Sequence, residues 1–153
     1  MRDFIYGNWT LFLYIALVCV FAWDTRRAWV RYKPSENLVK SMNEPQERGM
    51  SLNSMSGATG AAVTGASITL GVIGAVVGLG RVPPDASMHM RSAAVLCGLS
   101  LLAGVWIAAR LPQHANRRNV ALVQEFGVAL AVQVYSMFFG MLSLIVGIWA
   151  ILK

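Results

Sequence analysis

Four stretches of this chain carry no charge at all: Phe4 to Trp23, Gly49 to Gly80, Ser92 to Ala109 and Phe126 to Leu152 contain no Lys, Arg, Asp or Glu. They are 20, 32, 18 and 27 residues long, so the thirteen basic and seven acidic residues all fall in the short segments between and beside them. A bilayer core needs about 20 consecutive apolar residues per helix, and four such blocks predict four membrane spans. Composition agrees. The chain is 56% hydrophobic and 13% charged, where a soluble domain carries roughly 45 to 50% and about 25%.

The expected fold is an all-α membrane protein, a single integral domain of four transmembrane helices packed through small residues. Spans are expected at about 5–23, 57–80, 91–109 and 123–152, with connecting loops at about 24–56 and 110–122. The loops are too short for a separate soluble domain. A net charge of +6 in 153 residues can signal nucleic acid, but here the basic residues flank apolar spans without the aromatic interleaving of a nucleic-acid surface, so no nucleic-acid partner is expected.

Span one is bulky around its circumference, as expected of a peripheral, lipid-facing helix. Tyr6 and Trp9 mark one membrane interface, Trp23 and Trp29 the other. The segment DTRRAWVRYK then sets Arg26, Arg27, Arg31 and Lys33 just beyond the bilayer on a helical extension ended by Pro34. These four residues read as a stop-transfer anchor or as a contact for anionic lipid or a partner, each basic side chain gaining about 1 kcal/mol near an anionic leaflet. The polar segment from Ser35 to Ser56 is either a loop or a short surface helix.

Span two carries the most regular pattern. Gly57, Gly60, Thr64, Ser67, Gly71, Gly74 and Gly78 follow one another three and four residues apart, a heptad seam made only of small residues. Lipid supplies no hydrophobic drive between helices, so association rests on close van der Waals contact, which small residues permit. The 3.5-residue period implies a left-handed crossing. Arg81 and Pro83-Pro84 should end this helix and open a tight turn reaching about Met90. Span three has a partial seam in Ala93, Cys97, Ser100, Gly104 and Ala108. Span four has a full one in Ala129, Gln133, Ser136, Gly140, Ser143, Gly147 and Ala150. Spans two and four are therefore expected at the centre of the bundle. Whether the seams pack within one chain or between chains stays open.

Counting Lys and Arg on alternate sides puts nine in the loops after spans one and three and four elsewhere. By the positive-inside rule the basic loops are cytoplasmic and both ends lie on the far side, as in a bacterial inner membrane. Residues of catalytic or ion-coupling type are scarce: no ionisable group lies deep in a span. Glu125, one turn into span four, is read as an interfacial carboxylate beside Arg117 and Arg118, and Gln133 as an interhelical hydrogen bond. His89 and His114 fall in connecting segments on opposite sides and cannot share a metal. Cys19 and Cys97 read as small hydrophobes. No cofactor, metal or catalytic site is expected. Four spans with a large first loop is the layout of the membrane-associated glutathione and eicosanoid enzymes, yet the Arg, Asn and Glu motif those carry at the start of span two is replaced here by SMSGATGAAVTGAS.

The leading functional expectation is a non-catalytic structural subunit of a larger inner-membrane assembly of secretion, conjugation or respiratory type. Its partners are the lipid bilayer and other membrane subunits or copies of itself. A homo-oligomeric, holin-like pore and a small four-span transferase are the alternatives.

Overall fold

A helix satisfies every backbone hydrogen bond internally, which is what a chain of apolar blocks in lipid requires. The structure, a computed structural model, describes residues 8–31, 45–80, 82–115 and 121–152. These form four helices, with no strand among the described residues: α1 (Trp9–Arg31), α2 (Pro45–Gly78), α3 (Pro84–Ala115) and α4 (Ala121–Leu152). Each contains a stretch long and apolar enough to cross a membrane, namely Trp9–Ala28, Leu52–Gly78, Ala86–Leu111 and Phe126–Leu152. The protein is an all-α, four-helix membrane bundle.

Three helix boundaries differ from the sequence expectation: the start of α2 and both ends of α3, which continues to Ala115 through the first part of the loop expected at 110–122 and so contains His114. α2 starts at Pro45, so the second half of the polar segment before span two is helical and continuous with it. The turn after span two is also shorter than expected. Gly80 takes φ +83°, the left-handed conformation that closes a helix and that glycine adopts without strain. Ser87 N then donates to Pro83 O at 2.9 Å, so Pro83 caps α3 and Pro84 is its first residue. Proline suits that position because its missing N–H would have no helical partner there. His89, expected in a loop, thus lies inside α3.

The centre of the bundle is the antiparallel pair α3 and α4, not α2 and α4 as the seams suggested. α2 packs on one side of this pair and α1 on another, and the two outer helices share no substantial contact. The expectation that α1 is peripheral agrees with this placement. One apolar cluster joins Ile73 of α2, Met90 and Ala93 of α3 and Leu144 of α4. A second joins Val18 of α1, Leu96 of α3 and Phe139 of α4, backed by Tyr14 and Tyr135. Aromatic contacts fasten α1 to α4: Phe21 stacks on Tyr135 at 5.1 Å and Tyr14 lies 5.9 Å from Phe139. Near the other end of α1, the buried hydroxyls of Thr10 and Ser92 of α3 meet at 3.3 Å.

Candidate functional site: small-residue faces and a basic end

The seams of α3 and α4 face each other. Ala93, Cys97, Ser100 and Gly104 are buried, as are Gln133, Ser136, Gly140, Ser143 and Gly147. Ala108 is exposed, and Ala129 and Ala150 are half-buried. Glycine is needed where the backbones come closest. A methyl group added at Gly140 would lie 2.8 Å from Cys97 Sγ and 3.4 Å from the Ala93 carbonyl oxygen; one added at Gly147 would lie 3.3 Å from His89 Cβ. Ser143 donates from Oγ to the His89 carbonyl oxygen at 2.8 Å, which ties α4 to α3 between these two crossings.

Gln133 sits where α2, α3 and α4 converge. Its Nε2 donates to the Thr59 carbonyl oxygen of α2 at 3.2 Å, and a methyl added at Gly104 would stand 2.6 Å from the same nitrogen. Gln133 Oε1, Thr59 Oγ1, Ser100 Oγ and Ser136 Oγ are buried without a hydrogen-bond partner among the described residues. The Gln133–Thr59 bond joins α4 to α2, an interhelical contact of a kind that contributes about 0.6 kcal/mol on average in lipid.

The seam of α2 behaves differently. Gly57, Gly60, Thr64, Ser67, Gly71, Gly74 and Gly78 are all exposed, and a methyl added at any of the five glycines would meet nothing within 4 Å. The contacts of α2 with its own chain are made by another row. Thr59, Ala62, Ala66, Thr69 and Ile73 are buried, and Val76 is half-buried. This row has the same spacing as the glycine row but is displaced by two residues, about 200° around a helix of 3.6 residues per turn. Its signal was present in the sequence and was masked by the smaller residues opposite. Gly65, between the rows, makes the one close glycine approach to α4, with Met137 Sδ 2.7 Å from where a methyl would stand.

The outward faces of the other helices are bulky. α1 presents Phe12, Leu13, Val20 and Phe21, α3 presents Val95, Leu102 and Val105, and α4 presents Phe138, Ile145 and Trp149. Large apolar side chains against acyl tails are the ordinary lipid-facing surface.

At the end of α1, Arg26, Arg27 and Arg31 are exposed, and the guanidinium carbons of Arg26 and Arg27 lie 5.7 and 5.9 Å from the Trp23 ring centroid. On α3, Arg110 sits likewise 5.3 Å from Trp106. Such cation–π contacts hold cations at the aromatic belt of an interface. Lys33, Tyr6, Arg117 and Arg118 lie outside the described residues, as do the side chains of Trp29, His114 and Glu125. Among the described residues no three His, Cys, Asp or Glu side chains gather as a metal site. Cys97 is buried at the α3–α4 crossing and Cys19 is exposed on α1. The chain matches no known protein family, no curated protein and no solved structure.

Proposed function

We propose that this protein is a non-catalytic structural subunit of a larger membrane assembly, joined to its neighbour through the outward face of α2. One observation carries this reading: of the four outward helix faces, α2 alone presents an unbroken heptad of small residues, and the chain's own packing leaves that heptad empty. A helix facing only lipid gains nothing from seven small residues in register. A helix facing another helix gains close backbone contact along its length. The neighbour is another membrane subunit or a second copy of this chain, and the basic segments after spans one and three face the cytoplasm of a bacterial inner membrane.

Replacing Gly71 and Gly74 together with Leu tests the reading. Both positions are open in the folded chain, so the double variant should fold with an unchanged Tm in detergent and lose the partners that copurify with the unaltered protein after mild extraction. Retention of the same partners by the folded double variant would overturn it. A pore built around α2 draws on the same face, where Thr64 and Ser67 supply hydroxyls; ion conductance of the purified protein in liposomes separates that reading from a purely structural subunit.

A further inference from the structure

The basic end of α1 opens onto an apolar cleft. Ile15, Val18 and Ala22 of α1, Leu99 of α3, and Val128 and Val132 of α4 line an open hollow of about 290 Å³. Trp23 and Arg26 also line it, and the same two residues, with Arg27 and Arg31, line a second hollow of about 260 Å³. Apolar trough and cationic mouth are thus continuous. Residues 15, 18, 19, 22, 23 and 26 follow the three- and four-residue spacing of a single helix face, with Val18 and Ala22 as the buried floor and Cys19 on the exposed wall.

We propose that this cleft seats one acyl chain of an anionic phospholipid whose phosphate is held by Arg26, with Arg27 and Arg31 beside it. Length supports the fit. From Ile15 to Arg26 the helix rises about 16 Å at 1.5 Å per residue, which is one leaflet of a hydrocarbon core about 30 Å thick. The arginines therefore stand at the headgroup level of the leaflet whose tails fill the trough. Charge supports it too. Three arginines gather at this end of α1, and the guanidinium groups of Arg26 and Arg27 both lie over the Trp23 ring. A guanidinium fork matches a phosphate with two parallel hydrogen bonds. The cleft lies among α1, α3 and α4, so its occupancy is independent of any partner on α2.

The test is native mass spectrometry of the full chain in detergent, titrated separately with phosphatidylglycerol, with phosphatidylcholine of the same chains, and with glycerol 3-phosphate. One phosphatidylglycerol should be retained, with phosphatidylcholine and glycerol 3-phosphate each held roughly tenfold more weakly. Two variants address the two halves of the site: Arg26→Gln removes the cation at the junction, and Cys19→Trp fills the trough from an exposed position. Each should cost roughly tenfold in phosphatidylglycerol retention while leaving the lipid-free Tm unchanged. Equal retention of both phospholipids, or retention insensitive to both variants, would show ordinary annular lipid and overturn the proposal. Glycerol 3-phosphate held as tightly as the lipid, with Cys19→Trp silent, would show an anion site without an acyl seat and would overturn it equally.

Discussion

At Gly140 the nearest neighbours of an added methyl are Cys97 Sγ at 2.8 Å and a backbone carbonyl oxygen, Ala93 O, at 3.4 Å. The first can shift only within a buried crossing and the second hardly at all. Gly140→Ala should therefore destabilise the bundle by about 1 to 3 kcal/mol, the usual effect of overpacking, seen as a lowered Tm in detergent. Gly71 is the control. Nothing lies within 4 Å of a methyl there, so Gly71→Ala should leave the isolated chain's stability unchanged or raise it by up to about 1 kcal/mol through helix propensity. An equal loss at both sites would contradict the outward placement of the α2 row. Residue identity alone does not separate these two glycines. Each stands in a heptad of small residues, and only the packing of neighbours distinguishes a glycine that is touched from one that is not.

α2 shows why its inner face was hard to read and its existence easy. A run without charge from Gly49 to Gly80 forces a helix in lipid, but two heptad rows share it. The row with the smaller side chains drew attention as the tightest packing surface, whereas α3 and α4 accept the Thr and Ala row two residues on. Periodicity gives the rows; it does not say which one the chain uses for itself. Adjacent substitutions make the difference measurable. Ala66 is fully buried and Ser67 is exposed, so Ala66→Leu should lower stability by about 1 to 3 kcal/mol and Ser67→Leu should leave the Tm of the detergent-solubilised chain where it was. The start of α3 differs from expectation for a related reason. Pro83-Pro84 ends a helix in sequence terms, but a proline at the first helical position opens one equally well, as Pro84 does here. The cleft beneath Arg26 was not legible, because it needs Leu99, Val128 and Val132 brought beside α1 from distant parts of the chain.

Across the whole molecule, the four spans followed from where charges are absent, and the basic end of α1 from where they gather. The order of helices about the bundle axis did not, since it depends on which of several apolar faces meet. The proposed orientation rests on the same charges. In a variant lacking Cys19 and Cys97, Leu79→Cys, at a highly exposed site beside the short turn, should react with an impermeant maleimide in intact cells, and Arg31→Cys should react only after lysis. The opposite pattern would invert the proposed topology. The free face of α2 also bears on how many copies can join. A surface present once per chain, and complementary to itself, closes on a second copy about a two-fold axis and is then used up. Self-association about such an axis stops at a dimer, and a ring or longer array requires the α2 face to meet an unlike surface, on another copy of this chain or on another protein.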